Sequence, residues 1–178
     1  MANIDDFKAN LIGGGARGNQ FRVTITPPPG IAIGLDVRRT SFLCRGGSLP
    51  AQTLTPIAVP FWGRSIYIAG DRDMGGEDWT TTFMNDTDFM IRNAMERWMN
   101  GINDLADNTG VIAPADYQTD LTVEQLDRDD TVLKSYLFRS AWPTGVTAIE
   151  LTSEAADAIE QFDVTWRYQH FEASGVNF

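Results

Sequence analysis

VPFWGRSIYIAGDRDMGGEDWTTTFMND, residues Val59 to Asp86, is the stretch whose reading decides the fold. It reads as a strand, a glycine- and acid-rich loop, a second strand and the start of a helix. Phe61, Ile66, Tyr67 and Ile68 supply the β-branched and aromatic side chains that suit a pleated backbone, and Gly70, Gly75 and Gly76 punctuate the connection. Trp79 and Phe83 fall on one face of the second strand, and Thr80 and Thr82 on the other, because side chains alternate along a strand.

Working outward, the same alternation recurs. Phe21, Val23 and Ile25 alternate with Arg22, Thr24 and Thr26 in a half-buried strand. Pro27-Pro28-Pro29-Gly30 ends it, since proline cannot donate to a ladder. A second strand is expected near Thr40 to Arg45. Later come a strand from Val132 to Trp142, a hairpin turn at Pro143-Thr144-Gly145, a strand from Val146 to Thr152, and a last strand from Gln161 to Glu172. In that last strand Phe162, Val164, Trp166 and Tyr168 share a face opposite Asp163, Thr165 and Arg167. No internal repeat is visible.

The spacing predicts one helix, from Thr87 to about Ile102. Ile91, Met95, Trp98 and Ile102 recur at helical intervals, with Met90, Ala94 and Met99 widening the stripe. Asp86 is the candidate N-cap, and Asp88 suits the positive end of the helix dipole. Packing on a sheet accounts for the stripe more simply than a methionine-rich binding groove does. The expected class is therefore mainly β (α+β): an antiparallel β-sandwich or partial barrel with one packed α-helix.

A chain of 178 residues, 43% hydrophobic and 21% charged, suits one soluble domain spanning residues 1–178. No apolar run approaches the ~18 residues of a membrane span, so no stable membrane association is expected. MANIDDFKAN lacks the charged-then-apolar pattern of a signal segment, and a single cysteine, Cys44, excludes an intrachain disulfide; both suit a cytosol-like place of synthesis.

The net charge of −10 is uneven. Residues 1–100 hold 10 basic and 10 acidic side chains, whereas residues 101–178 hold 4 basic and 14 acidic, with 8 acids between Asn103 and Asp130. That balance argues against a protein that grips DNA, which needs Lys or Arg to neutralise phosphates. A solvated acidic loop and an acidic channel wall that repels nucleic acid both fit the stretch.

Catalytic and cofactor motifs fail one by one. Gly13-x-Gly15-x-x-Gly18 matches a dinucleotide fingerprint as letters, but precedes a strand where the fingerprint must follow one and open a helix. A flexible hinge fits it better. Asp71-x-Asp73-x-Gly75-Gly76 begins like a calcium loop, yet Thr82 stands where a bidentate Glu is required, and Arg72 sits among the ligands. Cys44 and His170 are the lone thiol and imidazole, with nothing in the pattern to orient them as a pair. His170 continues the apolar face of the last strand and reads as a structural histidine. No enzyme, no cofactor and no metal site is expected.

The pattern resembles the tail tube proteins of phages with contractile tails. The residues that carry it are Pro60, Arg64, Ile66, Ala69, Gly70, Asp71 and Arg72, followed by Asp78, Trp79, Thr80, Met84, Asn85 and Asp86. The resemblance continues through Asn19–Val23, Phe42–Arg45, Ser48–Ala51, Ala141–Thr144 and Ile159–Thr165, in the family's order over nearly the whole chain. The Pro27-to-Asp36 region is longer than usual, and Gly175 to Phe178 is an extension.

This resemblance implies a structural role. Subunits of such tubes form hexameric rings whose strands pool into one inner barrel, and the rings stack into a hollow cylinder inside a contractile sheath. One small chain cannot enclose duplex DNA, because a barrel of about 8 strands is filled by its own side chains and an aqueous channel needs about 16–18. The implied partners are other copies of the chain, sheath protein, a baseplate tube-initiator, a tape measure and terminator proteins. DNA is expected to pass through the lumen without specific binding. The expected location is the virion, after assembly in the host cytoplasm. Candidate subunit contacts are Arg64, Asp71, Arg72 and Glu77; candidate lumen-facing residues are Thr80, Thr82, Thr165 and Arg167. Residues 1–19 read as an N-terminal arm and 172–178 as a C-terminal tail. Together with the loop-like Gly46 to Pro60, they are expected to mediate ring stacking and subunit swaps. Three other readings fit: the tube of an injection particle that carries no DNA, a tube-initiating baseplate protein, and a monomeric carbohydrate-binding β-sandwich that uses exposed tryptophans.

Overall fold

The computed structural model describes residues 3–72, 78–153 and 158–175. Its strands are β1 (Phe21–Ile25), β2 (Cys44–Gly47), β3 (Leu54–Phe61), β4 (Arg64–Arg72), β5 (Trp79–Met84), β6 (Thr119–Leu126), β7 (Val132–Val146), β8 (Gln161–Arg167) and β9 (His170–Ala173). Helix α1 (Ile4–Asn10) precedes β1, and α2 (Val37–Leu43), α3 (Met90–Ile102) and α4 (Pro114–Tyr117) lie between strands.

All pairings among these strands are antiparallel. The main sheet runs β1-β6-β7-β8-β5-β2, with β9 also on β7, while β3 and β4 form a separate two-stranded sheet. Strand β7 is the spine. Its first part pairs with β6 and β9, and from Trp142 onward it pairs with β8. The change of partner follows Ser140, which adopts a left-handed φ of 54°.

The strand thus bends from one layer to the next, and the core forms between the layers. Trp79 of β5 stacks on Phe138 of β7 at 4.5 Å, and Tyr168 meets the same ring edge-on at 4.9 Å. Helix α3 closes the core with Ile91, Ala94, Met95 and Trp98, all buried, and Trp98 meets Trp166 of β8 edge-on at 5.6 Å. Each buried large apolar side chain contributes ~1.5–3 kcal/mol.

Several sequence expectations hold and several are corrected. The alternation in β5 and β8 is as expected: Trp79, Phe83, Phe162, Val164, Trp166 and Tyr168 are buried. The expected strand at Thr40–Arg45 is instead α2 followed by β2. Asp36 accepts from the backbone N–H of Arg38 and Arg39, and the Thr40 hydroxyl donates to the Asp36 carbonyl. An N-cap of this kind starts a helix despite β-branched residues.

The expected hairpin at Pro143-Thr144-Gly145 is the interior of β7, where the register against β8 shifts between Pro143 and Gly145. A bulge is where proline's missing donor does least harm. The last strand, expected as one from Gln161 to Glu172, breaks between Arg167 and His170 into β8 and β9. Glu172, assigned to the C-terminal tail, therefore sits in β9, opposite Leu137.

The helix starts at Met90, three residues later than expected, with Phe89 at the N-cap position in a left-handed conformation. Asp88 accepts from the Met90 N–H, and Asp86 accepts from the Thr87 N–H instead of capping α3. The acidic run is not all loop, because β6 lies within it, between β1 and β7. Leu121, Val123 and Leu126 of β6 are buried. The loop-like Gly46 to Pro60 segment carries most of β3.

Candidate assembly surfaces

The β3–β4 hairpin begins with its turn. Trp62 and Gly63 both take positive φ, 47° and 77°, as a two-residue type I′ turn requires. That turn sets Phe61 opposite Arg64, and the register then pairs Val59 with Ile66 and Ile57 with Ile68. These residues share a face. One side of the hairpin therefore presents Ile57, Val59, Phe61, Ile66 and Ile68, while Ala58, Pro60, Ser65 and Tyr67 occupy the other.

Nothing among the described residues covers that apolar face: Ile57 is 48% and Ile66 52% exposed, and Trp62 at the tip is 91% exposed. The two strands lie close near the base, where a Cβ at Gly70 would run into the Thr55 carbonyl oxygen. A solitary two-stranded ribbon is marginal in water. Phe61, Ile66, Tyr67 and Ile68 are legible in the sequence as strand formers, but the continuous apolar face is not. The Trp62-Gly63 tip was the signal for it, because a two-residue turn fixes register.

The candidate contact residues separate along this ribbon. Arg64 is at the tip, whereas Asp71 and Arg72 are at the base, about 24 and 27 Å away at roughly 3.4 Å per residue. All three are exposed, and among the described residues none pairs with another charge. Glu77 lies outside the described residues, as does most of the calcium-like loop. Among the described residues, no group of three metal-ligating side chains comes together.

The candidate lumen residues do come together. Thr80 and Thr165 are direct cross-strand partners, and Thr82 stands opposite Asp163, to which its hydroxyl donates at 2.6 Å. Arg167 lies on the same polar face and donates to Asp78 at 3.0 Å. The strip is thus hydroxyl-rich, with its arginine tied to a carboxylate.

Two ion clusters brace the subunit. Arg39 of α2 pairs with Asp86 and, at 2.6 Å, with Asp88, tying α2 to the entry of α3. On the β6–β7–β9 layer, Arg139 donates to Asp120 at 2.6 Å and to Glu172 at 3.0 Å. His170 is not on an apolar face as expected: its side chain is exposed, with Nε2 4.0 Å from Glu172. The strand break after Arg167 turns it outward. Cys44 is buried on β2, and burial pushes its thiol up to about 11, so it does not supply a thiolate nucleophile.

Hydrogen bonds from Arg39 and Arg139 hold the Asp86 and Glu172 carboxyls below the usual carboxylate range. Groups depressed in the folded state stabilise it above the ordinary carboxylate pKa of about 4, and that contribution is lost as pH falls through the depressed values. The stability gap between the natural chain and Arg139→Gln is therefore expected to be constant near neutrality and to close as pH drops below about 4. Urea unfolding midpoints across pH 3–7 check this; a gap that widens with acid refutes it.

Residues 16–174 match the family model described as phage tail tube protein. The tail tube protein of Serratia phage KSP90 is 32% identical over 170 residues, covering 94% of this chain and 95% of that one. Tail tube protein gp19 of Enterobacteria phage T4 is also 32% identical, over 171 residues, covering 95% and 99% respectively. Among solved structures, the sheath/tube terminator of the extracellular contractile injection system PVC aligns with a TM-score of 0.59 at 12% identity, covering 91% of this chain and 98% of that one. The anti-feeding prophage tube-terminating cap gives 0.58 at 16%, covering 89% and 90%. The PVC sheath-tube complex gives 0.53 at 14%, covering 99% and 100%. At such identities these structures speak for a shared fold.

Proposed function

This chain belongs to the phage tail tube protein family, a structural subunit of the virion and not an enzyme, and from that premise we propose how it builds a tube. Copies close into hexameric rings, pool their strands into a common inner barrel, and stack head-to-tail into a hollow cylinder. The cylinder sits inside a contractile sheath and conducts DNA into the host.

The observation that carries this reading is the β3–β4 hairpin, an apolar ribbon that the described residues leave uncovered. A second copy is the natural cover, since β1 and β2 also present open edges at the two ends of the main sheet. Head-to-tail contacts of this kind propagate when they do not close. Arg64 at the hairpin tip, and Asp71 and Arg72 at its base, make polar contacts around the apolar patch, with Glu77, outside the described residues, as the fourth subunit contact.

The face of β5 and β8 bearing Thr80, Thr82, Thr165 and Arg167 lines the channel. Hydroxyls with paired charges give a wet surface with little grip on phosphate, as passage without specific binding requires. Sheath, baseplate initiator, tape measure and terminator proteins are its neighbours. Solved structures of similar fold come from sheath-tube, baseplate and terminator assemblies, which supports sheath, baseplate and terminator proteins among these neighbours. The phage relatives at 32% identity favour DNA over another cargo.

Negative-stain electron microscopy and light scattering of the purified full chain test the reading. Six-fold rings or hollow tubes are expected. A chain that stays monomeric at high concentration, even with baseplate seeds, overturns it.

A further inference from the structure

Helix α1 has no place of its own in the fold. Ile4, Phe7 and Leu11, spaced three and four residues apart, form an apolar stripe on one side of it, and all three are exposed. The helix buries none of its residues. Seven residues are too few to hold a helix in water unaided, since isolated helices shorter than ~12–15 residues are marginal. The stripe therefore calls for a receptor.

A groove suited to it lies along α3. A cleft of about 980 Å³ opens between α3 and the end of β7, lined by Met99 and Ile102 of the helix and Trp142 and Val146 of the strand. Arg92 and Arg97 also line it. Arg92 is paired with Glu96 at 2.9 Å, so Arg97 supplies the surplus positive charge. On α1, Lys8 is paired with Asp5 at 3.9 Å, so Asp6 supplies the surplus negative charge. Apolar stripe faces apolar lining, and the charges are complementary. At 1.5 Å per residue, α1 is about 10 Å long and α3 about 20 Å, so the arm is short enough to lie along the helix.

The chain's own groove is remote from the point where its own arm leaves the fold. The arm leaves the fold at Gln20, whose carbonyl accepts from the Leu126 N–H, and Phe21 stands opposite Gln125, which stands opposite Lys134 of β7. Trp142 and Val146 lie eight and twelve residues further along that strand, up to roughly 26–40 Å away. The arm's exit and the groove thus sit towards opposite ends of the β7 spine, the arrangement a head-to-tail contact between copies needs. Gly13, Gly14 and Gly15, all with positive φ, provide the hinge between arm and fold.

We infer that the α1 arm of one copy docks in the α3–β7 groove of a second copy, its apolar stripe against the apolar lining and its net negative charge beside the groove's net positive charge, as a separate tether beside the hairpin contact. This rests on the tube reading above and adds the receptor for the arm.

Cross-linking tests it. In the full chain carrying both Phe7→Cys and Met99→Cys, oxidation of assembled material is expected to give a ladder of covalent oligomers on a non-reducing gel. Either substitution alone is expected to give none, and Cys44 is buried and silent. The paired swap Asp6→Arg with Arg97→Glu gives a second readout: each change alone slows assembly several-fold, and the two together restore it. Rings or tubes that form without a ladder overturn the docking and leave the tube reading standing. So do cross-links confined within single chains, or single charge changes without effect. A chain that never assembles overturns both.

Discussion

Ile57→Asp is expected to leave the subunit folded and to stop it polymerising. Ile57 lies mid-hairpin opposite Ile68, in the centre of the uncovered apolar face and 48% exposed in the isolated chain. In the free subunit the aspartate stays in water, and exposed substitutions of this sort shift stability by only about ±0.5 kcal/mol. In the assembled tube the same carboxylate enters an apolar contact without a partner, where an uncompensated buried charge costs about 3–5 kcal/mol. Since 1.4 kcal/mol is tenfold in an equilibrium constant, subunit addition should weaken by at least about a hundredfold. The effect repeats at every subunit, so tubes should be absent at concentrations where the natural chain forms them. Thermal unfolding and electron microscopy on the same preparation check both halves. Normal tubes from Ile57→Asp show that this face is not an interface, and a lowered melting temperature shows that the ribbon supports the fold.

Trp166→Ala is expected to act on the opposite side of that division, unfolding the subunit and removing assembly only as a consequence. Trp166 is fully buried on β8, beneath Trp98 of α3 and directly across from Trp79 of β5. Its Nε1–H donates to the Thr81 hydroxyl at 2.8 Å, a bond buried at both ends. Truncating a buried tryptophan to alanine costs about 3–5 kcal/mol, a large part of a typical stability of 5–15 kcal/mol. Trp166→Phe separates the contributions: it keeps most of the packing and leaves the Thr81 hydroxyl without its donor, at about 1–3 kcal/mol. Trp62→Ala at the exposed hairpin tip is the contrast, within about 0.5 kcal/mol for folding. Denaturant unfolding of the three variants gives the order. Near-equal values for Trp166→Ala and Trp62→Ala contradict the assignment of the core.

Legibility in the sequence followed the range of the signal. The burial of Trp79, Phe83, Phe162, Val164 and Trp166 was readable because period-two alternation is local, and the α3 stripe because period 3.6 is equally local. The pairing of Thr80 with Thr165 was half readable: each polar face was visible, but not that the two strands adjoin. Strand β6 was hidden because its charges, among them Asp120 and Glu124, resemble a solvated loop until Arg139 and Arg22 meet them. Helix α2 was hidden by its β-branched and aromatic residues, against which the Asp36 cap prevailed.

By itself the sequence determined the family, the mainly β class and which faces of β5, β8 and α3 are apolar, because those properties are written in spacing and residue type along one segment. Only the tertiary structure decided that β7 runs unbroken through Pro143, that the hairpin's apolar face is bare among the described residues, and that the arm leaves the fold far from the α3 groove. Each of these depends on which strand is hydrogen-bonded to which. Register and long-range pairing arise from segments distant in the chain, so no local pattern records them.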